Sequence, residues 1–150
     1  MDTSSSILQI FNESDEEIPL THSSAESILS SISKNENASF EMIELVYVDE
    51  EEIVRINKEH LGRDYITDII SFRYDGGQQK NDNTTIEGTL FCCAPRIIEQ
   101  AIEFNESKER EFKRIFIHGL LHLVGYEDNT PDKKQHMTDL ENKYLAMDKG

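Results

Sequence analysis

Residues 115–131 read IFIHGLLHLVGYEDNTP, and the organisation of the rest of the chain follows from this stretch. Ile115, Phe116, Ile117, Leu120, Leu121, Leu123 and Val124 make an apolar run of helical length, with His118 and His122 four residues apart inside it. At 3.6 residues per turn that spacing stacks both imidazoles on one face, so the two rings can turn toward one point. Gly125 follows the apolar run, where a glycine takes the backbone conformation that stops a helix. A turn there carries Asp128 back toward the imidazoles, giving the pattern H-x-x-x-H-x-x-G-x-x-D. Two neutral imidazoles and a carboxylate suit a divalent cation such as zinc and leave coordination positions open. A His pair alone is more often a half-buried polar pair; the buried helix, the stop glycine and the returning carboxylate together make it a metal site. Glu127 competes as third ligand, but successive side chains in a turn diverge, which favours Asp128.

Outward from the site, Thr130 and Pro131 open an amphipathic helix to about residue 147, because proline fits a first helical turn. On the other side, Asn105 or Ser107 starts the His-bearing helix, preceded by a helix over 95–104 and a strand over 85–93. The segment 75–83 is polar and glycine-bearing, and 68–74 alternates as a strand should. A loop covers 61–66. Before it, Asp49 caps a helix to about residue 60 whose first turn is Glu50, Glu51 and Glu52, carboxylates at the positive end of the dipole. Residues 40–48 are rich in strand formers, 23–33 place Ala25, Ile28, Leu29 and Ile32 at helical spacing, and 7–11 make a short strand. His22 falls in a polar loop. Strands alternating with helices, then three helices in succession, predict one α/β or α+β domain over residues 1–150 with one mixed β-sheet.

A chain of 150 residues is long enough to bury one substantial core. It has no run of about 18 apolar residues to span a membrane. Its first residues lack the basic start and apolar stretch of a secretory signal, so a cytoplasmic location is expected. Cys92 and Cys93 are adjacent in an apolar segment and read as buried thiols. The formal charge of −15 is uneven: residues 1–60 hold 14 acidic side chains against Lys34, Arg55 and Lys58, while the remaining 90 hold 16 against 12 basic ones. The balance argues against broad, non-specific nucleic-acid affinity, yet leaves basic residues near the site for a local phosphate contact.

Residues 118–128, HGLLHLVGYED, resemble the H-G-x-L-H-L-x-G-Y-D-H motif of the YbeY family, metal-dependent single-strand endoribonucleases of ribosomal RNA maturation. Upstream, residues 67–72, TDIISF, are similar to that family's T-[DN]-V-L-S-F. The two motifs come in the right order, and the resemblance covers roughly residues 40 to 147. It implies an α+β fold, a small mixed β-sheet packed with about five helices and the His-bearing helix in the core near the sheet, with one divalent ion, zinc foremost, and single-stranded RNA of the small ribosomal subunit as substrate. Ribosomal or ribosome-assembly proteins are the implied partners, with neither membrane nor DNA. Three departures stand out. Asp128 occupies the place of a third histidine ligand, which favours harder ions and a less acidic bound water. Leu61 stands where the family has an arginine, with Arg63 two residues later able to take over a phosphate contact. Gly88-Thr89 keeps the family's central-strand glycine and loses the acid after it.

The residues expected to carry function are therefore His118, His122 and Asp128 as ligands, with Arg63 and Arg114 at the phosphate; Arg114 precedes His118 by four residues on the same helical face. A three-ligand ion lowers the pKa of bound water to about 7, which provides a nucleophile for hydrolysis. Two other classes stay open. One is a metallopeptidase, although Gly119 replaces the glutamate that serves as general base in H-E-x-x-H enzymes. The other is a ribosome-associated module with a structural metal. His60 and His136 read as surface residues, and Thr67 and Ser71 as hydrogen-bonding neighbours of the site.

Overall fold

A computed structural model describes residues 7–74 and 85–148. The elements run β1 (Leu8–Asn12), α1 (His22–Glu36), β2 (Ser39–Val48), α2 (Glu50–Leu61), β3 (Ile69–Arg73), β4 (Thr85–Cys93), α3 (Ala94–Glu103), α4 (Lys108–Val124) and α5 (Pro131–Met147). The four strands form one sheet in the order β1-β2-β4-β3. β1 and β4 both pair parallel to β2, and β3 pairs antiparallel to β4, so the sheet is mixed and the fold is α+β.

The period-two alternation of β2 divides the interior. Ile43, Leu45 and Tyr47 face a large core shared with α1, α4 and α5, whereas Val46 and Val48 face a smaller cluster with Ile53 and Ile56 of α2. α4 is the central helix of the larger side; Phe112, Phe116, Ile117, Leu120 and Leu121 are all within 1 % of complete burial. It lies close on the sheet because two glycines make room. A β-carbon at Gly119 would come within 2.6 Å of Ile69 Cδ1 and 3.0 Å of a Leu90 methyl. One at Gly88, on β4, would sit 2.5 Å from the Phe72 carbonyl and 3.1 Å from Leu123 of α4. Gly88 is thus approached closely by both its neighbouring strand and α4.

Some local readings change. α1 runs to Glu36 and ends at Asn37, which adopts the left-handed conformation (φ 56°), so the break comes later than composition suggests. His22 begins α1 instead of lying in a loop, and its Nε2 contacts the Leu8 carbonyl at 3.1 Å. Asp49 sits at the N-cap of α2 without bonding the helix; its Oδ1 accepts from the Asp15 N–H at 3.2 Å. Both cysteines are buried free thiols. The polar segment 75–83 lies outside the described residues. No helix of the described residues is long and apolar enough to cross a membrane.

Candidate metal centre

The last two turns of α4 set the site. Ser107 caps the helix, its Oγ accepting from the Arg110 N–H at 3.1 Å, and this fixes the phase in which the buried face meets the sheet and the histidine face meets solvent. At the far end Gly125, with φ 128°, donates to the carbonyls of Leu121 and His122, and the Tyr126 N–H returns to Leu121 O at 3.0 Å. That tight return brings Asp128 over the histidines. His118 Nε2 and His122 Nε2 stand 3.1 Å apart, and the Asp128 carboxylate lies 3.5 Å from the first and 3.7 Å from the second.

These separations suit a cation. At metal–ligand lengths of about 2.0–2.2 Å, the ligand atoms of a tetrahedral site stand roughly 3.3–3.6 Å apart. The tautomers agree. His122 Nδ1 lies 2.9 Å from the Tyr126 carbonyl, which can only accept, so this nitrogen carries the proton. His118 Nδ1 lies 2.6 Å from Glu141 Oε2 and donates to that carboxylate. Both Nε2 lone pairs therefore point at the same small volume, beside a carboxylate oxygen. Three electron-rich atoms at that distance repel unless a cation sits among them, and a proton or a metal ion answers the need.

The protonation preferences of the two rings differ for the same reason. Burial disfavours charge on His118, but the hydrogen bond and charge of Glu141, with Asp128 adding, outweigh it and raise its pKa above the ordinary imidazole value. Burial, reinforced by the neighbouring His118, lowers that of His122. In the metal-free protein a proton at this site therefore favours His118 over His122, and an incoming ion competes with it.

All three ligand candidates are half-buried and open on one side, lining a cavity of about 570 Å³ with Arg63, Tyr65, Asp68 and Arg73. Arg63 reaches this cavity because Gly62, left-handed at φ 69°, turns the chain at the end of α2, so that Leu61 and Arg63 both line it. Arg114 lies on the other side of His118, in a second cavity of about 640 Å³ that shares Asp68, His118 and Asp128 with the first. Its Nη1 donates to Glu141 Oε1 at 3.1 Å and Asn142 Oδ1 at 3.2 Å, and its Nε lies 3.8 Å from Glu111. Glu127 turns outward to Lys133 Nζ at 3.2 Å and stays apart from the histidines. His60 and His136 are exposed. Thr67 and Ser71 line the first cavity, Thr67 just ahead of β3 and Ser71 within it.

Glu141 is the functional neighbour that sequence reading missed. It lies 23 residues from His118, on α5, with only 7 % of its surface exposed. The signal was available: Met137, Leu140, Tyr144 and Leu145 form the buried stripe of that helix, and Glu141 falls inside the stripe.

Comparison with known proteins is consistent with this geometry. A family model described as Endoribonuclease YbeY matches residues 9–148. A protein of Chloroherpeton thalassium named Endoribonuclease YbeY is 40 % identical over 113 residues, 75 % of this chain and 76 % of its own length. One of the same name from Chlorobium phaeobacteroides is 32 % identical over 140 residues, 93 % of this chain and 96 % of its own. A solution structure from Thermotoga maritima superposes with a TM-score of 0.64 at 26 % identity, over 93 % of this chain and 87 % of the other.

Proposed function

The chain belongs to the endoribonuclease YbeY family, and from that premise we propose that it is a metal-dependent endoribonuclease cleaving single-stranded RNA in ribosomal RNA maturation. The observation that carries the reading is the convergence of His118 Nε2, His122 Nε2 and the Asp128 carboxylate, within 4.8 Å of one another on the wall of an open cavity. In this reading they hold one divalent ion, zinc foremost, and the whole chain is a single hydrolase domain. The ion supplies an acidified water and a positive charge for a phosphoryl oxygen.

The remaining work falls to side chains. Glu141 and the Tyr126 carbonyl hold the imidazole protons on Nδ1, which keeps both Nε2 atoms available as ligands. Arg63 binds a substrate phosphate from the first cavity, where a guanidinium can grip two oxygens. Arg114 does the same from the second cavity, at the cost of sharing its guanidinium with Glu141. Tyr65, 53 % exposed on the wall of the first cavity, offers an aromatic face to an unpaired base. The natural substrate is small-subunit ribosomal RNA in the cytoplasm, with ribosomal or assembly proteins as partners and no role for DNA or membranes.

Two features weigh against the other classes. A peptidase glutamate in the place of Gly119 would start from a β-carbon 2.6 Å from Ile69 Cδ1 and 3.0 Å from a Leu90 methyl, so it would be directed into the packing of α4 on the sheet and not toward the cavity. A purely structural ion would be enclosed by protein ligands, whereas these three are half-exposed beside a large cavity. The test is to incubate metal-loaded protein in parallel with single-stranded RNA, duplex RNA and an unstructured peptide, with His118→Ala as control. Cleavage of the single strand that vanishes in the variant supports the reading, and cleavage of peptide alone overturns it.

A further inference from the structure

The hydrogen bonds behind the metal centre converge on a residue outside both sequence motifs. Glu36, the last residue of α1, accepts from the Tyr126 hydroxyl through Oε1 at 2.6 Å and from the Tyr144 hydroxyl through Oε2 at 2.5 Å. The three residues come from α1, the turn after α4, and α5, separated by 90 and 108 positions. Tyr126 is the pivot of the turn that carries Asp128. Its N–H closes α4 on Leu121, its carbonyl receives His122 Nδ1, and its ring packs on His136 at 5.6 Å between centroids. The neighbours of Tyr126 hold the turn weakly: Gly125, Glu127 and Asn129 are exposed, and Glu127 makes its ion pair at the surface. The Tyr126 side chain is the inward anchor of this segment, and Glu36 fixes its far end.

From this geometry we infer that Glu36 is a positioning residue of the metal centre: by holding the Tyr126 hydroxyl it fixes the main chain that orients His122 and delivers Asp128. The inference rests on the His118, His122 and Asp128 cluster being the metal site. A phenol donating to a carboxylate makes a strong, directional bond. Removal of such outer partners weakens metal binding although every ligand is still present.

Tyr144 provides an internal control. It bonds the same carboxylate, but it belongs to α5 and is almost fully buried in the core, at 1 % exposure. Tyr126→Phe and Tyr144→Phe each delete one hydroxyl from Glu36 and keep the ring. In a zinc titration of the metal-free protein against a chromophoric chelator, Tyr126→Phe raises the Kd about tenfold, and Glu36→Ala raises it as much. The double variant is no weaker than either, because both changes cut one connection. Tyr144→Phe lowers Tm and leaves zinc affinity within about twofold of wild type, a margin well inside the effect expected for a lost outer partner. The visible bands of the Co(II) form change in Tyr126→Phe and persist in Tyr144→Phe. Wild-type affinity in Tyr126→Phe, or an equal loss in Tyr144→Phe, overturns the inference. A wild-type protein that takes no zinc overturns the metal centre as well, which distinguishes the two failures.

Discussion

Replacing Glu141 with glutamine removes one charge and almost no volume, and the structure sets the size of the consequence. The His118–Glu141 contact is 2.6 Å long, with only 10 % of the Glu141 side chain exposed, so the carboxylate meets the imidazole with little competition from water. Glu141 also accepts from Arg114 through its other oxygen. Glutamine offers one acceptor where two donors converge. If its oxygen faces Arg114, its amide faces His118 and forces that ring into the tautomer whose Nε2 is protonated and useless to a metal. If its oxygen faces His118, its amide abuts the guanidinium. A hydrogen bond to a charged group contributes about 1.5–3 kcal/mol, which is roughly ten- to a hundredfold in an equilibrium constant. Loss of an outer carboxylate from a metal-bound histidine typically costs the same ten- to a hundredfold in affinity. Zinc titration of Glu141→Gln should therefore show a Kd raised by that factor, with a melting curve that remains cooperative. Affinity within twofold of wild type would refute the claim that Glu141 fixes the His118 tautomer.

Three further outcomes follow. The raised pKa of His118 and the lowered one of His122 mean that between the two values zinc displaces about one proton, not two, so calorimetry in buffers of different ionisation heat should give a proton release that approaches one in that window and fades as pH rises above the raised value. The sign follows: His118 charge stabilises the metal-free fold below the ordinary imidazole pKa, and that contribution fades as pH rises through the raised value, so zinc affinity falls as pH is lowered through the same window. Gly88→Ala should cost more stability than Gly119→Ala in denaturant melts, because its β-carbon meets the Phe72 backbone, whereas at Gly119 the obstacle is the end of the Ile69 side chain. Overpacking of this kind costs about 1–3 kcal/mol, and at Gly119 a gain in helix propensity of up to about 1 kcal/mol offsets part of it. Arg63→Ala should raise KM for single-stranded RNA about tenfold with zinc affinity unchanged, as loss of a charge-assisted phosphate bond implies; an unchanged KM would remove Arg63 from the substrate site.

Much of this fold was legible because local signals and long-range packing agree. β4 is an apolar run bounded by a polar segment and Pro95, and it forms over the expected residues. α5 starts at Pro131 behind a Thr130 cap that accepts from the Lys133 N–H. His118, His122 and Asp128 were readable because one helix and one turn, 11 residues in all, bring them together. What escaped depends on contacts between distant elements. A glutamate on a helix ordinarily faces water, and Glu141 and Glu36 reach the His118 ring and the Tyr126 hydroxyl only when α5 and α1 pack beside α4. Asp49 illustrates the reverse: its position suits a cap, but the chain at Asp15 comes close enough to take its carboxylate.

The central claim is tested most directly by anomalous diffraction from crystals grown with zinc. The account predicts one ion about 2.0–2.2 Å from His118 Nε2, His122 Nε2 and the Asp128 carboxylate, with at least one coordination position facing the cavity. An ion elsewhere, or one closed off by a fourth protein ligand, would contradict it.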